Sequence, residues 1–215
     1  EGHGLKIAGR IQCLMEDFLD TAKLAVKEFK PAYIEPWLTT IDRWRAELPD
    51  DIPTVPADGA GYVDVHHFVR ELSDVLAENE LIFVDTGGTL TWTCNNLRVK
   101  SDQRVLSAWN FTPMGYAVPA GIGGAAAAPG RPITCIIGDG GLQLCLGELA
   151  TVVRHQLPLK IVLFNNHSHG IQKQTLETWL GGNNVGVDPD SGLGLSDFPK
   201  VADAMGLPVI NILKT

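Results

Sequence analysis

Short apolar runs separated by helical stretches constrain the fold of this chain more than any other feature. The runs "LIFVD" (81–85), "ITCIIG" (133–138) and "LKIVLFN" (159–165) are continuous rather than alternating, which is typical of strands buried on both faces. Such strands need helices on either side of the sheet. We therefore predict an α/β fold, a doubly wound parallel sheet with helices on both faces.

The remaining elements follow the same alternation from Tyr62 onward. A short strand is predicted at "VLSA" (105–108), and a helix begins after "TGG" (86–88). Other helices are predicted over 63–79, 116–128, 146–155 and 198–206, and the last of these leads into the apolar run "PVINI" (208–212).

The first 58 residues have a different character. Apolar residues at helical spacing predict helices over 11–29 and 38–48, and the prolines between and after them end in "ADGAG" (57–61). We interpret 1–58 as the tail of a preceding domain with a proline-rich linker, and 59–215 as the main domain. We expect that domain to be truncated at its C-terminus, because "VINILKT" stops where such a sheet ordinarily gains another strand and helix.

Composition narrows the range of partners. Seventeen Lys and Arg against 25 Asp and Glu give a formal charge of −8, which argues against nucleic acid and anionic membranes as partners. The sequence has no run of about 20 apolar residues and no basic-then-apolar leader, so we expect no membrane span and a cytoplasmic location. The cysteines lack the spacing of a zinc site, and we expect reduced, packed thiols at Cys13, Cys94, Cys135 and Cys145.

Polar and glycine-rich segments follow three of the predicted strands. In parallel sheets, ligands bind beyond the carboxyl ends of the strands, where glycines let the backbone turn tightly and free N–H groups favour phosphate oxygens. We therefore expect the three segments to form one site. They are Asp85-Thr86-Gly87-Gly88, Gly138-Asp139-Gly140-Gly141 and Asn165-Asn166.

An aspartate in a phosphate-binding turn needs a cation beside it. Asp139 repels a phosphate group unless a positive ion lies between them, and Mg²⁺ prefers oxygen ligands. The carboxylate of Asp139 and the side-chain amide oxygen of Asn166 are the candidate ligands. The sequence therefore predicts a diphosphate site bridged by magnesium.

Several other motifs have weaker interpretations. "GIGGAA" (121–126) matches a loosened dinucleotide fingerprint but does not follow a strand, so close helix packing is favoured. No GxxxxGK[ST] motif occurs, which argues against a P-loop nucleotide site. His167 and His169 stand two apart in a loop and are more typical of pocket-lining residues than of metal ligands. Structural or surface roles are assigned to His66, His67, Glu148 and Glu177.

The segment from Gly138 to Asn166 resembles a known cofactor motif. Gly138-Asp139-Gly140, then 24 residues, then Asn165-Asn166 is similar to the thiamine diphosphate motif, in which GDG and NN bracket a helix and a strand. The stretch "TPMGYAVPAGIGGA" (112–125) strengthens the likeness. Over about residues 60–210 the chain resembles the C-terminal diphosphate-binding (PP) domain of thiamine diphosphate-dependent enzymes, in the branch of acetolactate synthases and 2-keto acid decarboxylases.

The resemblance implies which residues hold the cofactor and its metal. Mg²⁺ would be bound by the side chains of Asp139 and Asn166 and by the main-chain carbonyl of Ser168. Met114 would be the apolar wedge that bends the cofactor, and the carbonyl of Thr112 would accept a hydrogen bond from its aminopyrimidine ring. The other cofactor-binding residues implied are Gly87, Gly88, Thr89, Gly138, Gly140, Gly141, Gly170 and Ile171.

The resemblance also implies an activity, the decarboxylation of a 2-keto acid. The product is then either protonated or joined to a second carbonyl compound. The predicted catalytic residues are Met114, His169 and Gln172. Gln172 stands where decarboxylases of this family carry a glutamate, and Thr175 stands where acetolactate synthases carry an aromatic residue. We therefore predict a carboligase with a polar acceptor, with simple decarboxylation as the alternative.

Partners are implied in the same way. Enzymes of this family take an activating glutamate from a pyrimidine-binding domain of a second chain, so we expect a homodimer or homotetramer. The sequence contains no such domain, and we expect the chain to be a fragment of a longer polypeptide or one subunit of a split enzyme. A noncatalytic module that binds the cofactor is the remaining alternative.

Overall fold

The computed structural model describes residues 9–28, 33–48 and 62–212. The chain divides into two compact units, Glu1–Asp51 and Ile52–Thr215. Most of the predicted proline-rich linker, from Pro49 to Gly61, lies outside the described residues.

The first unit contains two helices, α1 (Met15–Val26) and α2 (Glu35–Glu47), which confirms both predicted helices. Helix α2 begins earlier than predicted, because Pro36 occupies its first turn, where a proline gives up no intrahelical hydrogen bond. Neither helix has a buried residue. Trp37 and Trp44 of α2 pack edge to face, with ring centroids 5.5 Å apart.

The second unit is built on a parallel sheet, which confirms the predicted α/β fold. The strands of the described residues are β1 (Leu81–Val84), β2 (Arg104–Leu106), β3 (Ile133–Gly138) and β4 (Leu159–Phe164). Their order is β2-β1-β3-β4, and every neighbouring pair is parallel. The ends of β1, β3 and β4 therefore lie side by side, as the predicted site requires.

Helices flank the strands along the chain. They are α3 (Val65–Val75), α4 (Gly88–Asn96), α5 (Ala117–Ala127), α6 (Asp139–Leu144), α7 (Glu148–Arg154), α8 (Gly170–Trp179) and α9 (Phe198–Ala204).

Four segments of the second unit differ from the prediction. Helix α3 stops four residues early, because the N–H of Ala77 donates to the carboxylate of Glu80 instead of continuing the helix. Helices α6 and α8 were not predicted, and both start directly after the polar segments at the strand ends. The apolar run 208–212 forms no strand, and Ile210 is 87% exposed.

Side chains of the central strands alternate between two apolar layers, as a pleated strand requires. Phe83, Cys135 and Ile137 belong to a cluster with residues of α5, α7 and α9. Ile82 and Ile136 belong to a second cluster with residues of α3 and α4. Because both faces are covered, the strands read as continuous apolar runs.

Helix α5 lies unusually close to the first layer. A Cβ on Gly124 would lie 2.6 Å from the Phe83 ring, and one on Gly121 would overlap the sulfur of Cys135. The interpretation of "GIGGAA" as a close-packing motif is therefore confirmed.

The amino ends of the strands are tied together by Glu80, which is fully buried. Its carboxylate lies 2.6 Å from the Lys160 ammonium and accepts hydrogen bonds from the Ala77 amide and the Thr134 hydroxyl. Burial raises the pKa of Glu80, but the hydrogen bonds from Lys160 and Thr134 outweigh burial and hold this pKa below its ordinary value. Glu80 thus connects β1 to β3 and β4.

The four cysteines are unpaired and fall into two classes. Cys135 and Cys145 are buried, and burial raises the pKa of Cys135 to about 12 and that of Cys145 to about 11. Cys13 and Cys94 are exposed, so the expectation of packed thiols is wrong for these two. Among the helices of the described segments, none is long and apolar enough to cross a membrane.

Candidate functional site

The loops after β1, β3 and β4 meet at the carboxyl edge of the sheet. Gly138 ends β3 directly beside Phe164, which ends β4, and β1 pairs with the other side of β3. A Cβ on Gly138 would lie 3.2 Å from the Thr89 hydroxyl of α4, and one on Gly87 would lie 3.8 Å from Ile171 of α8. Residues from all three predicted segments are therefore neighbours.

The Ser168 amide brings together the two predicted metal-binding side chains. It lies 3.2 Å from Oδ2 of Asp139 and 3.2 Å from Oδ1 of Asn166, so these oxygens are no more than twice that distance apart. The other carboxylate oxygen of Asp139, which is 3% exposed, accepts from the Gly140 amide at 2.7 Å. A carboxylate and an amide oxygen converging at one point suit a hard divalent cation such as Mg²⁺.

Gly140 lies directly beneath two side chains from distant loops, at a point that we call the Gly140 recess. A Cβ at this position would lie 2.7 Å from the terminal methyl of Met114 and would overlap the His169 ring. Met114 follows β2 and His169 follows β4, so two distant loops place their side chains over the same glycine. The recess exists because residue 140 has no side chain, which matches a turn that approaches a ligand closely.

The turn after β1 has backbone geometry that favours glycine. Gly87 has φ +78° and precedes α4, and Thr89 in the first turn of that helix is buried. Free amides at the start of α4 face the carboxyl edge of the sheet. Gly170, which opens α8, is restricted in a similar way, because a Cβ there would lie 3.0 Å from the Asn166 side-chain nitrogen.

A second loop fixes the Ser168 segment from outside. The carbonyl of Val187 accepts hydrogen bonds from the Ser168 hydroxyl at 2.9 Å and from the His169 amide at 2.8 Å. Asp188 is held in turn by the Lys173 ammonium at 2.8 Å, and the hydrogen bonds from Lys173 and Ser191 lower the pKa of Asp188 to about 2. The sequence pattern contained no indication of this support.

Asp85 belongs to the first predicted segment, but no individual role was predicted for it. Its carboxylate is 1% exposed and accepts from three amides, those of Thr86 at 3.0 Å, Gly115 at 3.1 Å and Ala117 at 2.9 Å. The available sequence signal was an acidic residue directly after four apolar ones, since a buried carboxylate requires hydrogen-bonding partners.

Some of the residues predicted to belong to the site lie at its edge. Gln172 is exposed in the first turn of α8. Thr112 is exposed and has φ +42°, and its amide donates to the carbonyl of Ala108. The hydroxyl of Thr175 donates to the carbonyl of Ile171 within α8.

The other polar residues considered from the sequence lie in separate environments. His167 is exposed, and its amide donates to the Asn165 side chain. The His66 ring lies 2.9 Å from the amide nitrogen of Asn96, between α3 and α4. Glu177 accepts a hydrogen bond from Asn184 at 2.9 Å on the outer side of α8.

Comparison with known proteins gives a consistent result. Residues 85–215 match the family model described as "Thiamine pyrophosphate enzyme, C-terminal TPP binding domain". The chain is 29% identical over 206 residues to the acetolactate synthase large subunit of Pyropia yezoensis, covering 96% of this chain and 33% of that protein. It is 31% identical over 177 residues to the acetolactate synthase large subunit of Parasynechococcus marenigrum (strain WH8102), covering 82% and 27%. The chain spans about a third of the length of the curated relatives it matches.

Proposed function

Because the chain belongs to the thiamine pyrophosphate enzymes and carries their C-terminal cofactor-binding domain, we propose that it supplies the Mg²⁺- and diphosphate-binding part of a 2-keto acid carboligase. The enzyme would decarboxylate a 2-keto acid and join the product to a second carbonyl compound. The names of the relatives support an acetolactate synthase-like reaction. The observation that carries the proposal is the Ser168 amide, which contacts both Asp139 and Asn166 beside the Gly140 recess.

The residues present suit the metal and the diphosphate of thiamine diphosphate (the same compound as thiamine pyrophosphate). Mg²⁺ would be held by the side chains of Asp139 and Asn166 and the carbonyl of Ser168. A Cβ at Gly140 would collide with Met114 and His169, so only glycine lets the backbone of this turn approach both side chains and a diphosphate closely. The remaining contacts would come from Gly87, Gly88, Thr89, Gly138, Gly141, Gly170 and Ile171.

Thiamine diphosphate, when bound, supplies the nucleophilic carbon and the electron sink that decarboxylation of a 2-keto acid requires. The protein's own part is to orient the groups and to exclude water. Met114, at the recess, would hold the two rings of the cofactor at an angle, and the carbonyl of Thr112 would fix the aminopyrimidine. His169 lies against the same recess and would contact the substrate.

Gln172 and Thr175 bear on the outcome of the reaction. Gln172 is a neutral amide and is a weaker proton donor than the carboxylic acid that decarboxylases carry there. Thr175 is small, and its hydroxyl is already bonded within α8, which leaves room on the acceptor side. Both features support carboligation to a polar acceptor over simple protonation.

A second chain would complete the site. Large apolar side chains are exposed near the carboxyl edge, among them Phe111 (87% exposed) and Leu144 (67%). A pyrimidine-binding domain of another chain, in a homodimer or homotetramer, would cover them and supply the activating glutamate. The four unpaired cysteines support a reducing compartment such as the cytoplasm.

Thermal unfolding with thiamine diphosphate and Mg²⁺ tests the binding site. A ligand that binds only the folded state at 100 times its Kd stabilises that state by about 2.7 kcal/mol, so the melting temperature of the unmodified chain should rise. Asp139→Ala should abolish the rise. Asp203→Ala removes an exposed carboxylate of α9 and should preserve it. An equal rise in Asp139→Ala and the unmodified chain would contradict the proposal.

Product analysis tests the reaction. The chain would be combined with a pyrimidine-binding domain from a related enzyme and supplied with pyruvate and a panel of aldehyde, keto-acid and keto-sugar acceptors. Carboligation products with carbon dioxide release are expected. Acetaldehyde alone would favour the simple decarboxylase, and cofactor binding without any turnover would favour a noncatalytic module.

A further inference from the structure

Asp85 connects three parts of the site through its carboxylate. The residue follows β1 directly, and two of its hydrogen bonds reach about 30 positions along the chain, to the amides of Gly115 and Ala117. On its other side, a Cβ on Gly141 would lie 2.8 Å from Oδ1 of Asp85. The carboxylate is therefore enclosed between the turn after β1, the start of α5 and the start of α6.

The segment held by Asp85 carries Met114. Thr112 has φ +42° and Gly115 has φ +81°, so Met114 lies between two residues in left-handed conformations. A threonine in this region is costly for the backbone and persists only where its surroundings impose it. The hydrogen bonds from Gly115 and Ala117 to Asp85 fix the backbone immediately after Met114, and the Ala117 bond is buried while the Gly115 bond is partly buried.

Asp85 is bonded to backbone amides and not to a cation. Its partners are amides of the turn after β1, of the segment that carries Met114 and of the start of α5, and the ion pairs among the described residues do not include it. Hydrogen bonds from amides to a carboxylate are short-range and directional, so they define where a loop lies. The loop that carries Met114 places this side chain at the Gly140 recess.

We propose that Asp85 is a positioning residue that keeps the Met114 side chain over Gly140, and that it thereby determines how the ring portion of the cofactor is held. This inference rests on the proposed function for the identity of the ligand. The proposal predicts different effects on the two portions of the cofactor, which a general structural role does not. Binding of the ring portion would depend on Met114, whereas binding of the diphosphate would depend on Asp139, Asn166 and the glycine turns.

Methyl NMR tests, without any ligand, whether Asp85 fixes the position of the Met114 side chain. The chain has three methionines, Met15, Met114 and Met205, so a sample labelled at the methionine methyls gives three assignable signals. In Asp85→Asn the Met114 signal should move toward its position in an unfolded peptide, because the methyl leaves the His169 ring. Met205 packs against the core and should not move.

Asp64→Asn is the matched control. Asp64 also accepts only backbone amides, those of His66 and His67, at the start of α3. The same chemical change there should leave the Met114 methyl in place. An unchanged Met114 signal in Asp85→Asn, or a Met205 signal that moves with it, would overturn the proposal.

Binding measurements separate this inference from the proposed function. Asp85→Asn should weaken thiamine diphosphate binding about tenfold, the loss expected when a charge-assisted hydrogen bond is removed. Inorganic pyrophosphate with Mg²⁺ should bind within about twofold of its affinity for the unmodified chain. Equal weakening of both ligands would overturn the inference alone. Failure of the unmodified chain to bind either ligand would overturn the proposed function, while the methyl signals would still test Asp85.

If Asp85→Asn does not fold, hydrogen exchange in the unmodified chain tests the proposal instead. The Gly115 and Ala117 amides should exchange within about tenfold of the rate of Ala120, whose amide is bonded inside α5. Much faster exchange at Gly115 and Ala117 would show that the carboxylate does not hold the loop.

Discussion

The two ends of β1 carry buried carboxylates with opposite kinds of partner. Glu80 precedes the strand and is paired with a lysine ammonium and a threonine hydroxyl from neighbouring strands. Asp85 follows the strand and accepts only backbone amides, two of them from the segment that carries Met114. Four residues separate acids that are almost equally buried.

The difference shows how the same side-chain chemistry can serve the fold or the site. At the amino edge, Glu80 and Lys160 link strands that must stay in register, and removing Glu80 leaves the Thr134 hydroxyl and the Ala77 amide without an acceptor. At the carboxyl edge, the amides around Asp85 define the path of a loop and leave the strands unaffected. We therefore expect changes at Glu80 to appear in stability and changes at the carboxyl edge to appear in ligand binding.

The largest effect is expected for Glu80→Ala. The substitution removes three hydrogen bonds and leaves the Thr134 hydroxyl and the Ala77 amide without their acceptor. The free energy of unfolding should fall by about 3 kcal/mol, because the Thr134 hydroxyl and the Ala77 amide lose their acceptor, whereas the 54% exposed Lys160 side chain regains water. Urea denaturation followed by circular dichroism measures it.

The matched control for this prediction is Glu78→Ala. Glu78 lies two residues away, its side chain is 72% exposed, and its nearest cation is Lys100 at 3.8 Å. Its replacement should change stability by less than about 0.5 kcal/mol. Similar losses at the two positions would remove the basis of the comparison.

The next largest effect is expected for Gly140→Ala, and it should appear in binding. The new Cβ would meet the ends of the Met114 and His169 side chains, which can rotate away, so stability should change by less than about 1 kcal/mol. The recess would nevertheless be filled. The affinity for thiamine diphosphate with Mg²⁺ should fall about 100-fold, which corresponds to about 2.7 kcal/mol.

Gly123→Ala is the control for the glycine change. A Cβ on Gly123 meets nothing within 4 Å on the exposed side of α5. Because alanine is the better helix former, this variant should gain about 0.5–1 kcal/mol of stability and keep its cofactor affinity. A binding loss in Gly123→Ala comparable to that of Gly140→Ala would show that the recess is not the cause.

The sequence predicted the strands and the meeting of three polar segments at the carboxyl edge because these depend on local patterns. A strand buried on both faces reads as an apolar run, and the neighbouring ends of parallel strands form one edge whatever lies between them. Asp139 and Asn166 could therefore be assigned to one site by position, whereas Met114 was assigned only through the family resemblance.

The support of that edge could not be predicted, because it depends on contacts distant in sequence. Asp85 reaches Gly115 and Ala117 only after α4 and β2 have been placed, and Val187 reaches Ser168 from a loop beyond α8. The pairing of Glu80 with Lys160 likewise spans the chain from β1 to β4. No local pattern specifies which polar group will meet a buried carboxylate.

A smaller effect is expected in the pH dependence of stability. The folded pKa of Glu80 is lowered from the ordinary 4.5, so its stabilising contribution is fully present above pH 4.5 and is lost as the pH falls through the folded value. Glu80→Gln should cost about 2 kcal/mol at pH 7, and this cost should shrink steadily below pH 4.5. Glu78→Gln should show no such trend, and a cost for Glu80→Gln that grows in acid would contradict the assignment.

The smallest effect is expected in thiol reactivity. The rates of thiol modification distinguish unfolding of the whole second unit from local opening at the carboxyl edge of its sheet. Ellman's reagent should modify Cys13 and Cys94 at once in the native chain, whereas Cys135 and Cys145 are protected by burial and raised pKa values. A Cβ on Gly115 would lie 3.5 Å from that of Cys145, so the loop held by Asp85 covers this thiol.

Asp85→Asn should therefore speed modification of Cys145 about threefold more than that of Cys135, because local opening needs less free energy than global unfolding. The loss of the Asp85 charge alone acts on both thiols, since this charge raises the pKa of each. Glu80→Ala should instead speed modification of both buried thiols together, since it lowers the cost of opening the whole sheet. Mass spectrometry of the labelled peptides measures each site separately. If Cys135 and Cys145 respond in parallel in both variants, the two carboxylates serve the same purpose, and the division between the two edges of the sheet is wrong.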